Sequence, residues 1–275
     1  MADQTAVALT LIDGWTAANA VAALVGPDGV VASDGDPARD FRWASVSKLV
    51  TAVAVLTAID EGVIDLDEAA GPPGSTIRHL LAHASGWGFE GETVLAAPGR
   101  RRIYSNSGYD RLGALLAERT GVAVADAIRD RVLGPLGMDS TRLVERPSQG
   151  LHGPLEDLVR FARACLRPEI VRADTFVSAT NVVYPGLAGM LPGVGRFDPL
   201  DWGLGFEIRD GKTPHWTGSR NSPATFGHFG GSGTFMWVDP ALDRALVCLT
   251  DREYGPWALD AWPRFSDAII EAHRA

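Results

Sequence analysis

The chain has 275 residues, 46% hydrophobic and 21% charged, which suits a soluble globular protein with one large core or two interleaved ones. A net charge of −9 and a pI near 5.1 argue against nucleic acid or an anionic membrane as partner. No apolar run reaches the ~18 residues a membrane span needs. No basic residue precedes Arg39, so the cationic start of a secretory signal is missing and the expectation is a cytoplasmic location.

Residues 20–34 (AVAALVGPDGVVASD) predict a β-hairpin, two apolar runs about Pro27-Asp28-Gly29. Ala44 to Glu61 predicts a long helix, apolar nearly all round and stopped by Gly62, which places it centrally. Further helices are expected at Ser75–His83, Gly108–Arg119, Ala123–Leu133 and Pro154–Leu166, with Gly- and Pro-rich joints between them. From about residue 200 the pattern returns to strands, at 203–209, 233–239 and 244–250, before a terminal helix near 257–273. Strands at both ends imply a discontinuous α/β sheet domain, 1–62 plus 200–275, and an inserted helical domain, 63–199, with a site between them. Cys165 and Cys248 lie in apolar stretches and read as reduced core residues. The run Arg100-Arg101-Arg102 reads as a solvated loop face.

Of the 25 basic residues only Lys48 and Lys212 are lysine. Arginine cannot surrender its proton in a protein, whereas a desolvated lysine can, so a lysine kept at position 48 inside an apolar segment marks a site where deprotonation matters. It closes Ser45-Val46-Ser47-Lys48, where Ser45 and Lys48 share a helix face one turn apart. A serine hydroxyl becomes a nucleophile when a neighbouring base takes its proton. With 14 serines and two lysines in 275 positions, chance alone supplies about 0.1 such pairs. Tyr104-Ser105-Asn106 stands ahead of the helix from Gly108; the alternative reading is helix capping after an aromatic staple. A phenol beside a lysine ammonium has its phenolate stabilised, and Asn106 has a carbonyl for the lysine and an NH2 for a substrate carbonyl. Gly227-His228-Phe229-Gly230-Gly231-Ser232-Gly233 leads into the strand at 234, its glycines permitting close backbone approach to a substrate; the alternative is a plain glycine-rich turn.

The order SxxK, YxN and a glycine-flanked H-x-G on a late strand resembles that of serine β-lactamases (class C among them), D-alanyl-D-alanine carboxypeptidases of the penicillin-binding-protein kind and related esterases. His79-Leu80-Leu81-Ala82-His83-Ala84-Ser85-Gly86, Pro98-Gly99, Gly134-Pro135-Leu136-Gly137-Met138 and Trp202-Gly203-Leu204-Gly205 extend the resemblance over about residues 20–265. It implies an α+β fold (an α/β sandwich): a mainly antiparallel sheet flanked by N- and C-terminal helices, with the all-helical domain inserted. It also implies Ser45 as acylated nucleophile, Lys48 and Tyr104 as acid/base pair, and Asn106, His228 and Gly230 as substrate-positioning residues. The backbone N–H groups of Ser45 and Gly231 would form the oxyanion hole, with no cofactor and no metal. The chain departs from the pattern where His228 stands for lysine and Phe229 for a hydroxyl residue, which disfavours a carboxylate-bearing substrate.

The remaining chemistry-bearing residues have plainer readings. His79 and His83 have the i, i+4 spacing of a helical metal pair, but no third ligand is evident and they read as structural at the domain joint. Lys212-Thr213 lacks the glycine of a KTG motif and reads as a surface turn, and Trp43 reads as core and pocket wall. The expectation is a serine hydrolase acting through an acyl-enzyme on a small ester or amide, with a carboxylesterase-type activity. The alternatives are a β-lactamase or D-Ala-D-Ala carboxypeptidase, and a catalytically idle ligand-binding or sensor domain on the same scaffold. The oligomeric state stays open.

Overall fold

Alternation along two consecutive strands organises the molecule. The computed structural model describes residues 2–274. β1 (Ala20–Gly26) and β2 (Gly29–Asp34) form the expected hairpin, and β9 (Glu207–Ile208), β10 (Phe226–Gly230), β11 (Thr234–Asp239) and β12 (Arg244–Thr250) join it in one antiparallel sheet of order β2-β1-β12-β11-β10-β9. β11 and β12 are apolar between their end residues because both faces are covered. Phe235, Trp237, Leu246 and Cys248 face one core with Leu9, Trp262 and Phe265; Met236, Val238, Val247 and Leu249 face the other with Leu49 and Val53. The first core lies under α1 (Ala2–Leu9) and α8 (Pro256–Arg274), so helices from the two chain ends share one side of the sheet.

The second core holds α2 (Ser47–Asp60), whose all-round apolar pattern matches its burial; Gly62, at φ 74°, takes the left-handed turn that ends it. α3 (Ile77–Leu81), α4 (Asn106–Thr120), α5 (Val124–Ile128), α6 (Leu155–Leu166) and α7 (Ala173–Ala179) make the stretch between the sheet segments mainly helical. That stretch also supplies short strands. β3 (Phe41–Arg42), β5 (Arg142–Leu143) and β6 (Leu151–Gly153) form one three-stranded sheet; β4 (Arg102–Ile103), β7 (Gly189–Leu191) and β8 (Gly195–Phe197) form another. The helix expected through Leu133 leaves α-geometry at Arg129, and the strand expected at 203–209 shrinks to β9. Among the described residues no helix is long and apolar enough to cross a membrane.

Two polar expectations are overturned, each by contacts remote in sequence. Arg102 is buried rather than solvated: its guanidinium donates to the carbonyls of Ala82, Val183, Tyr184 and Leu200, which strand ends and turns leave without partners. Burial lowers its pKa to about 10. Lys212 is buried too, ion-paired with Glu207 at 3.1 Å and donating to the carbonyls of Asp201 and Ile208. His79 and His83 do not share a helix, since α3 stops at Leu81 and His83 sits at φ 53°. Instead His83 Nδ1 accepts from the Ser105 N–H at 3.1 Å, and its ring packs against Tyr104, Tyr109 and Trp202.

Candidate active site

Ser45 sits in a single 3-10 turn, Ala44–Val46, that runs into α2. Ala44 just before it has φ 46°, a left-handed conformation that costs a non-glycine residue on the order of 1 kcal/mol and persists only where the surroundings impose it. The β10–β11 hairpin supplies that restraint. Ser232 Oγ donates to the Arg42 carbonyl at 2.7 Å and Thr234 Oγ1 to the Trp43 carbonyl at 2.9 Å. A Cβ on Gly230 would lie 2.4 Å from the Trp43 carbonyl oxygen, so only glycine lets the strand approach this turn. Gly230 thus meets the backbone that carries Ser45, whereas a Cβ on Gly231 would meet nothing within 4 Å. β9 pairs only with Phe226 and Gly227, so His228 and Gly230 lie beyond its end, beside the Ser45 turn.

The polar side of α2 addresses one segment, 147–151. Ser47 Oγ accepts from the Leu151 N–H, and Thr51 Oγ1 donates to the Pro147 carbonyl. Between them the Lys48 Nζ has three neighbours: Asn106 Oδ1 at 2.6 Å, the Ser148 carbonyl at 2.8 Å and Ser45 Oγ at 3.2 Å. Burial, opposed only in part by Asp110 and Glu90, lowers its pKa from 10.5 to about 7. In the free-base form two N–H groups satisfy the two carbonyl oxygens, which accept only, and the lone pair is left for the Ser45 hydroxyl.

Tyr104 behaves differently from the sequence expectation. The Lys48 ammonium lies over its ring, 4.8 Å from the centroid, rather than beside its oxygen. Burial pushes the phenol well above its usual pKa, so it stays protonated at rest; desolvation of a phenolate outweighs the help of a cation placed over the ring. His228 fixes the direction of its hydrogen bond. His228 Nδ1 lies 2.6 Å from the Phe229 carbonyl, which can only accept, so Nδ1 carries the proton. Burial lowers the imidazole pKa to about 3, so Nε2 is an acceptor and Tyr104 O–H donates to it at 3.1 Å. The phenol oxygen keeps lone pairs for its hydrogen bond with Ser45. At rest, donation then runs from the lysine ammonium to Ser45, to Tyr104, to His228 and to a backbone carbonyl.

His228 is therefore neutral over the whole physiological range, not only above its usual pKa near 6.5. Ser45, Tyr104, His228 and Gly231 open on a cavity of about 210 Å³ whose other walls include Phe89 and Leu191, with no cationic side chain among the described residues that line it. Phe229 reaches this cavity too, but its ring packs with Tyr254, Trp216 and Trp262 and belongs largely to the core.

The fold brings together Ser45, Lys48, Tyr104, Asn106 and His228 from α2, α4, β10 and the loop ahead of α4. The Asn106 NH2, expected from the sequence to meet substrate, donates one of its two N–H groups to Glu90 Oε1 at 2.8 Å. Glu90, Asp110, Arg146 and Ser148 surround Lys48 without having been singled out. Glu90 and Arg146 lie on exposed loops, Asp110 on the surface of α4 and Ser148 in a buried turn, and no spacing rule connects them to position 48.

The chain matches the family model described as Beta-lactamase over residues 16–268. The crystal structure of a beta-lactamase from Mycobacterium bovis superposes with a TM-score of 0.95 at 49% identity, covering 98% of this chain and 100% of that one. Penicillin-binding protein 4* of Bacillus subtilis is 30% identical over 139 residues, 38% of this chain and 31% of its own length, so the match spans about a third of that relative. Penicillin-binding protein 4 of Amycolatopsis lactamdurans is 26% identical over 283 residues, 77% of this chain and 72% of its own length. The chain belongs to the beta-lactamase family of serine hydrolases.

Proposed function

We propose that the protein hydrolyses neutral esters or amides through an acyl-enzyme on Ser45. Free-base Lys48 takes the Ser45 proton as Oγ attacks the acyl carbon, and the N–H groups of Ser45 and Gly231 receive the oxyanion. Tyr104, hydrogen-bonded to Ser45, orients the hydroxyl for attack; the Lys48 ammonium returns the proton to the leaving oxygen or nitrogen, and water then releases the acyl group with Lys48 again as base. Gly230 holds the turn under the nucleophile, and Asn106 holds the lysine.

One observation carries the substrate class: His228 is neutral and engaged at both ring nitrogens, and no cationic side chain among the described residues lines the cavity. Stripping water from a substrate carboxylate against such walls without a charged partner is unfavourable. The names of the relatives favour the other reading, a β-lactamase or D-Ala-D-Ala carboxypeptidase. A serine-directed fluorophosphonate followed by intact mass should add once, at Ser45, and Ser45→Ala should abolish the adduct; an adduct that survives moves the nucleophile elsewhere. Near pH 7.5, kcat/KM should favour p-nitrophenyl butyrate over nitrocefin, and His228→Lys should move the ratio toward nitrocefin. A preference for nitrocefin of about tenfold or more in the unmodified protein overturns the neutral-ester reading in favour of the β-lactamase.

A further inference from the structure

The groups around Lys48 close on themselves. Lys48 donates to Asn106 Oδ1, and Asn106 Nδ2 donates to Glu90 Oε1. Arg146 grips Glu90 with both terminal nitrogens, at 2.9 and 3.0 Å, and also lies 3.1 Å from Asp110 Oδ2. Asp110 Oδ1 accepts from the Ser148 N–H at 3.3 Å, and the Ser148 carbonyl accepts from Lys48. The circuit joins α2, α4 and the loops that carry Glu90 and Arg146. It leaves the Asn106 amide one orientation, because an ammonium only donates and a carboxylate only accepts. It also places Phe89, next to Glu90, with its ring stacked on Tyr104 at 5.9 Å between centroids.

We propose that Glu90, Arg146 and Asp110 are positioning residues that close a hydrogen-bonded ring around Lys48 and tune its proton affinity through their net charge. This rests on the reading of Lys48 as the base for Ser45. The other titratable groups facing Lys48 carry no charge: burial keeps His83 and His228 neutral, and keeps Tyr104 and Tyr109 protonated. The charges left to act are the two carboxylates, which favour the ammonium, and the guanidinium, which opposes it. Arg146 and the Asn106 amide hold Glu90 ionised, with a pKa of about 2, so its charge is constant across the working range. With Lys48 protonated the ring is neutral; with Lys48 free it carries one negative charge.

The test is the pH profile of kcat/KM on p-nitrophenyl butyrate for the parent, Glu90→Gln, Asp110→Asn and Arg146→Gln. Glu90 and Arg146 have side chains 45% exposed and Asp110 25%, so the fold should tolerate each change. Glu90→Gln and Asp110→Asn should each move the acid limb down by about half a pH unit, and Arg146→Gln should move it up by a similar amount. Opposite displacements are the signature, since a purely structural role would lower kcat without moving the limb by charge. A parent limb near neutrality that stays put in all three, or moves the same way in all three, overturns the ring and leaves the base assignment standing. A parent with no such limb removes Lys48 as the base and the inference with it.

Discussion

Replacing Lys48 by methionine separates its burial from its chemistry. The unfolded chain holds a lysine proton up to about pH 10.5, whereas the folded protein holds it only to about 7, so between those values the unfolded state binds more protons and stability rises with pH. At about 1.4 kcal/mol per pH unit, the penalty for folding around this lysine is on the order of 5 kcal/mol below pH 7 and fades as pH approaches 10.5. The same relation makes it fall by about 3 kcal/mol between pH 6 and pH 9. Lys48→Met escapes that penalty but leaves Asn106 Oδ1 and the Ser148 carbonyl without their donor, about 1–3 kcal/mol each and independent of pH. Urea denaturation of both proteins at the two pH values isolates the titrating part, because every other group titrates alike in each. The parent should gain about 3 kcal/mol on the methionine variant between pH 6 and pH 9. A difference that does not change with pH, or changes the other way, refutes the desolvated-lysine argument whatever the enzyme kinetics show.

Lys48→Arg should fold but lose about 100-fold or more in kcat on p-nitrophenyl butyrate, because a guanidinium keeps its proton; near-normal turnover would mean that charge alone is needed there. Arg102→Met should cost about 3 kcal/mol or more in urea denaturation, since it strands four carbonyls that one guanidinium satisfies; a loss under about 1 kcal/mol would show that water replaces it there.

Motif order and local pattern already contained the outline of the site. Ser45 and Lys48 are three apart at the head of an apolar segment, and any helix starting there brings them into contact. Tyr104 and Asn106 flank a helix start, which accounts for both pointing toward a common centre. β11 and β12 read as strands, and that is what they are; burial of both their faces is the fold's addition. β10 is harder to read, because its glycines resemble a turn; Gly230 lets the strand pass the carbonyl of Trp43, and Gly227 lets it lie close to the Met236 carbonyl.

The protonation states came from the tertiary structure alone. That Lys48 gives up its proton near pH 7, Tyr104 stays protonated and His228 is an acceptor depends on how completely each is buried and on which carbonyl faces it, Phe229 for one and Ser148 for another. The same holds for Arg102 and Lys212, which as charged residues in polar stretches read as solvated, and which the fold buries under carbonyls contributed by distant segments. Helix and strand periods report neighbours two to four residues away, so they recover an i, i+3 pair and an alternating strand. They carry no information about Glu90 meeting Arg146 across 56 residues, or Lys48 meeting Ser148 across 100, because those meetings are made only when the core closes.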